Sequence, residues 1–181
     1  FGPIPPRSAE PGTAALRAAH ERHGVAGALA LSTRGIYHSA AAGNRETLAL
    51  CGDSGGRLLP AAVLDPRLPG ADTLVSGARA LALFPHLQNW PLRYAPLEKV
   101  LGALAGRSVA VPLLFGSARA GDLTRLRDLV KATGYAGAVL CLGVSGDTLS
   151  EAFAVAGDDP RYLVCTDRLL GIGELALAVR T

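Results

Sequence analysis

Ala78-Arg79-Ala80-Leu81-Ala82-Leu83-Phe84-Pro85-His86-Leu87-Gln88-Asn89-Trp90 is the stretch on which the fold turns. Residues Arg79–Phe84 read as a short apolar strand, the kind that is buried on both faces of a sheet. Pro85 stops it, and His86, Gln88, Asn89 and the only Trp of the chain follow at once. Parallel α/β folds place their ligands beyond the carboxyl ends of their strands. The burst of polar and aromatic groups therefore reads in two ways. It is a site, or it is a polar loop whose Trp90 covers a helix end.

The same rhythm runs outward in both directions. Towards the amino terminus, strands are expected at Leu58–Leu64, ending in Asp65-Pro66, and at Val25–Leu31. Towards the carboxyl terminus they are expected at Val109–Phe115, Ala136–Leu142 and Tyr162–Cys165, the last ending in Thr166-Asp167-Arg168. Between them the spacing predicts helices over Ala14–His23, Pro96–Ala105 and Asp122–Thr133, with Gly24 and Gly134 past the ends of the first and last. Thr13 is expected to cap the first helix, Asn44 a helix reaching about Cys51, and Asp147 a helix over Thr148–Ala156. Ser32–Gly43 reads as a long loop, a short helix is placed near Asp72–Gly77, and a last apolar helix over Leu169–Val179. The proline-rich residues Phe1–Pro11 read as a loop.

Strand starts recur every ~20 to 33 residues, the size of a βα unit. That alternation implies parallel pairing with right-handed crossovers. The expected fold is α/β: a parallel (β/α) barrel of TIM type, with about six of eight βα units present in one domain spanning residues 1–181. The rival, an open doubly wound sheet, lacks its glycine-rich phosphate turn here. A barrel short of two strands should run in sequential order, with helices outside, two unpaired edges and exposed core side chains. The chain begins with Phe1 and contains no Met, so it reads as a piece of a longer product.

Composition narrows the function classes. Of 181 residues, 49% are apolar and 18% charged, enough apolar material for a core and too little charge for disorder. The net charge is +3, and the basic residues are scattered rather than blocked, which argues against a nucleic-acid footprint. No apolar run approaches a membrane span. Cys51, Cys141 and Cys165 show no metal-type spacing and read as free thiols of a reducing, cytoplasmic compartment.

The segments HGVAGALALS (23–32), GNRETLALCGDSGGRLLPAAVLDP (43–66), ARALALFPHLQNWPL (78–92) and RYLVCTDRLLGIGELALAV (161–179) resemble the amidohydrolase-related family of TIM-barrel, metal-dependent hydrolases and decarboxylases. The resemblance implies hydrolysis or decarboxylation of a small polar or carboxylate substrate by a metal-held water, with a divalent ion such as zinc as cofactor. The family's ligands are a His-x-His pair on its first strand, a His on each of its fifth and sixth strands, and an Asp on the eighth. The first and eighth strands would lie outside residues 1–181. The fifth and sixth correspond to VAVPLLFG (109–116) and AGAVLCLG (136–143), which contain no His. No metal site is therefore expected from this chain alone. The alternative is a non-catalytic barrel relative that binds a small anion or a protein partner.

Catalytic residues stay unassigned. The candidates for ligand contact are those at the expected carboxyl ends of strands: His86, Gln88 and Trp90, with Arg34, His38, Asp65 and Asp167. Asp65 before Pro66 also suits a turn, and Asp167 a helix cap. Thr33, Arg67, Ser117, Arg119, Ser145 and Arg168 are expected at the same mouth. Arginine forks there suit a carboxylate or phosphate, and Trp90 would supply a flat apolar wall. His20 and His23, at i and i+3 of the first helix, read as surface residues. The expected partner is a small, anionic molecule, without nucleic acid or membrane; a homo-oligomer is compatible with this reading.

Overall fold

Every strand of the sheet runs in the same direction as its neighbours. The computed structural model describes residues 13–71, 76–106, 111–116 and 119–165. Its six strands are β1 (Ala28–Ala30), β2 (Leu58–Val63), β3 (Ala80–Leu83), β4 (Leu113–Phe115), β5 (Val139–Cys141) and β6 (Tyr162–Val164). They pair in parallel in the order β1-β2-β3-β4-β5-β6 and curl into a half-barrel. The helices are α1 (Thr13–Arg22), α2 (Thr33–Tyr37), α3 (Ala40–Gly52), α4 (Ala95–Ala105), α5 (Asp122–Thr133) and α6 (Leu149–Asp158).

β3 explains why its sequence has no polar face. All of Ala80–Leu83 is buried, because both sides of the sheet are covered. Leu81 and Leu83 point outward with Leu113, Phe115, Val139 and Cys141, and pack under the leucines of α4, α5 and α6. Ala80, Ala82 and Phe84 share the inner face with Ala61, Val63 and Leu114. The inner face is closed only in its middle. Leu29, Leu59 and Leu163, of the inner parity on β1, β2 and β6, are 40%, 43% and 51% exposed. The inner face of the half-barrel is thus open towards both ends of the sheet.

Three local expectations are corrected. The expected loop Ser32–Gly43 contains α2 and the first residues of α3. Ser32 caps α2 by accepting from the Arg34 N–H, and Ser39 caps α3 by accepting from the Ala42 N–H. Gly35 and Gly43 allow α2 and α3 to meet backbone to backbone, and a Cβ on Gly43 would collide with Gly35.

Asn44 is not a cap. It lies inside α3, and its Nδ2 donates to the Val63 carbonyl (3.0 Å) while its Oδ1 accepts from the Val63 N–H (2.8 Å). The physical reason is the short first strand. β1 pairs with β2 only as far as Pro60, so beyond it the β2 edge at Val63 has no strand beside it. The Asn44 amide carries the donor and acceptor of a peptide group and takes that place.

Asp147 caps nothing. α6 starts at Leu149 after Thr148, and the Asp147 carboxylate instead accepts from the Ser145 hydroxyl (2.7 Å). The helix expected near Asp72–Gly77 lies largely, and that over Leu169–Val179 wholly, outside the described residues.

Candidate functional site

The turn after β3 sets the site. Pro85 ends the strand, the Gln88 and Trp90 N–H groups donate back to the carbonyls of Phe84 and Pro85, and Asn89 takes a positive φ of 56°. His86 stands on this turn, half-buried. Its Nε2 lies 2.5 Å from Oδ2 of Asp122, the first residue of α5. The pair thus spans the carboxyl ends of β3 and β4. The Asp122 side chain is 7% exposed. It also accepts from the Arg119 N–H (2.8 Å) and, through Oδ1, from Arg125 Nη1 (3.3 Å). A carboxylate with these donors holds the ring with the proton on Nε2. Nδ1 is the nitrogen left over, and it makes no hydrogen bond among the described residues.

Glu151 of α6 braces the same corner from behind. Its carboxylate accepts from the Gly121 N–H (2.8 Å), the Thr124 N–H (2.8 Å) and the Thr124 hydroxyl (2.7 Å). Glu151 thus occupies free backbone donors at the start of α5, and both its charge and that of Asp122 lie where negative charge is favoured.

The floor below is apolar. Phe84 packs its ring over Gly116, where any Cβ would collide with it. Leu114, Leu140 and Leu142 belong to the same inner cluster. Leu114, Leu140 and Leu142 stand on or directly after the strands where the family resemblance implies histidine ligands. Among the described residues no three His, Cys, Asp or Glu side chains are grouped to hold a metal ion.

The other candidates serve their own loops. Gln88 and Trp90 are buried, and Trp90 Nε1 donates to Gln88 Oε1 (3.1 Å). Trp90 packs in the outer core with Leu92 and the α4 leucines, so it presents no flat wall to the mouth. Core packing wins because an indole buries a large apolar area once its N–H has an acceptor, and Gln88 is that acceptor. Asp65 accepts from Arg67 through both oxygens (2.9 and 2.8 Å) and from the Arg67 N–H (3.1 Å). Those bonds hold its carboxyl below the usual range. Arg34 pairs with Glu46 (3.1 Å), which also accepts from the Ser32 hydroxyl (2.7 Å), and the Glu46 carboxyl is lowered by Ser32 and then Arg34. His38 is exposed at the carboxyl end of α2. Asp167, Ser117 and Arg168 lie outside the described residues.

The sequence reading missed Asp122, Glu151 and Phe84 as parts of the site. An acidic residue opening a helix just past a strand end was the available signal for Asp122.

Comparison with known proteins brings no relative: no family model, no curated protein and no solved structure matches the chain. The amidohydrolase-related resemblance therefore rests on the segments quoted above. Among the described residues no helix is long and apolar enough to cross a membrane.

Proposed function

We propose that this chain forms six of the eight units of a (β/α)8 barrel of the amidohydrolase-related kind. We propose further that it binds a small polar, carboxylate-bearing molecule at the carboxyl ends of β3 and β4. Nδ1 of His86 is the contact that accepts a hydrogen bond from a polar group of that molecule. The observation that carries the reading is the His86–Asp122 pair: a half-buried imidazole fixed through one nitrogen by a buried carboxylate, at the end of the sheet where parallel folds bind ligands. Leu29, Leu59 and Leu163 support the barrel, since two further strands between β6 and β1 would cover them.

The family's hydrolase or decarboxylase chemistry is the catalytic form of this proposal. Binding without turnover is the second form. The apolar floor favours it, because Leu114, Leu140 and Leu142 stand on or directly after the two strands that the family resemblance would require to supply metal ligands.

The test is an NMR titration with small mono- and dicarboxylates, following the backbone amide signals of Leu87 and Asp122 beside the His86 ring. A saturable shift in the wild type that is lost in His86→Gln supports the site. Equal responses in both proteins, or none in either, refute it. For the barrel, the methyl groups of Leu59 and Leu163 in the native protein should resist a soluble paramagnetic probe that broadens exposed Leu87. Equal broadening of all three would refute closure.

A further inference from the structure

A groove of about 780 Å³ runs between α4 and α5, from Arg93 and Arg125 near the starts of the two helices to Thr133. Its size falls within the range of small-molecule sites. Gly102 of α4 and Ala132 of α5 leave room between the helix walls. The charges around it are unevenly satisfied. Asp128 is already paired with Arg127 (3.1 Å), and Arg125 reaches Asp122 only at 3.3 Å. Arg93 at one end and Glu98 on the α4 wall are exposed, and neither makes an ion pair or side-chain hydrogen bond among the described residues. A guanidinium and a carboxylate thus line one groove without meeting each other. A molecule carrying both charges would satisfy each of them; a simple anion would meet the free Glu98 carboxylate, and a simple cation the free Arg93.

We infer that the α4–α5 groove is a binding site for a small zwitterion of the amino-acid class, its carboxylate on Arg93 and its ammonium on Glu98. Arg125, which also lines the groove, offers the carboxylate a second guanidinium. The groove touches the His86 site only through Arg125, which also reaches Asp122 (3.3 Å), and the Arg93 and Glu98 contacts do not depend on that site.

The experiment is an amide NMR titration of the whole chain with glycine, β-alanine and γ-aminobutyrate, which space the two charges differently. Acetate and ethylamine are the single-charge controls. At least one zwitterion should give saturable shifts at Gly102 and Ala132 that neither control reproduces. Arg93→Ala and Glu98→Gln should each weaken that binding roughly tenfold, and because both side chains are exposed and unpaired, their amide spectra should otherwise match the wild type. If no zwitterion saturates, if acetate or ethylamine alone reproduces the shifts, or if both variants bind as tightly as the wild type, the inference is wrong.

Discussion

Replacing Asp122 by Ala should cost the fold stability and free the His86 ring together. The carboxylate accepts from His86, from the Arg119 N–H and from Arg125 while only 7% exposed. Arg125 contributes least, since its contact is 3.3 Å long and its side chain is 54% exposed. The Arg119 N–H bond to a charged acceptor and the His86 bond carry most of the effect, at ~1.5 kcal/mol or more each. The expected loss is therefore about 2–4 kcal/mol, the scale of removing one partner from a largely buried pair. Urea unfolding followed by the fluorescence of Trp90 measures it, because no other Trp contributes and this one is buried in the core. Asp122→Asn keeps the shape and one acceptor oxygen, so it should fall between Ala and wild type. In the same proteins the His86 ring signals should move from one ordered environment towards the averaged values of an exposed imidazole. A loss under about 1 kcal/mol in Asp122→Ala with unchanged His86 signals would refute the dyad, because desolvated charge-assisted bonds are not that weak.

Further outcomes are expected from the same measurements. Asn44→Ala leaves the buried N–H and C=O of Val63 without partners and should cost about 2–4 kcal/mol in urea unfolding, with Asn44→Asp no better because it loses the donor. Gly116→Ala forces Phe84 aside and should cost about 1–3 kcal/mol, most of it recovered in the double variant with Phe84→Leu; an undiminished loss there would place the strain elsewhere. Asp65 and Asp159 have carboxyls held below their ordinary range, first by side-chain bonds from Arg67 and Arg161. Their folded pKa values are depressed, so their stabilisation is complete above the unfolded carboxylate range near about pH 4 and is lost as pH falls through the folded values. Urea midpoints should drop in that acid window, and Asp159→Asn should flatten the drop; an identical acid slope in the variant would contradict the linkage.

How far the sequence could be read depended on the range of the interactions involved. β3 and α5 were legible because their signals are local: an apolar run stopped by Pro85, and a helix over Asp122–Thr133 closed by Gly134, which does take a left-handed φ of 68°. The sequential parallel order followed from unit spacing alone. The Ser32–Gly43 segment misled because Ser and Gly are ordinary loop residues, whereas here the serines cap helices and the glycines let them touch. Asn44 was read as a cap because that is its commonest local use, and its partner Val63 lies 19 residues away. Asp122 was placed at the start of its helix but not joined to His86, 36 residues earlier. Trp90 looked like site chemistry for its polar neighbours, yet one of them, Gln88, is the acceptor that lets it be buried.

The braces between successive units have a consequence for how the sheet comes apart. His86 of the β3 turn holds the first residue of α5, Glu151 of α6 holds the start of α5, and Arg161 before β6 holds the carbonyl of Tyr135 before β5. Each unit thus supplies a terminal hydrogen bond that its neighbour lacks, so no unit between β3 and β6 can open without exposing unsatisfied groups in the next. Local opening is then coupled to global opening, and amide exchange along α5, α6 and their strands should converge on a single free energy. By this reasoning the span from β3 to β6 should open as one cooperative unit, whereas β1, with a short pairing to β2 and no second neighbour among the described residues, should exchange by fraying on its own.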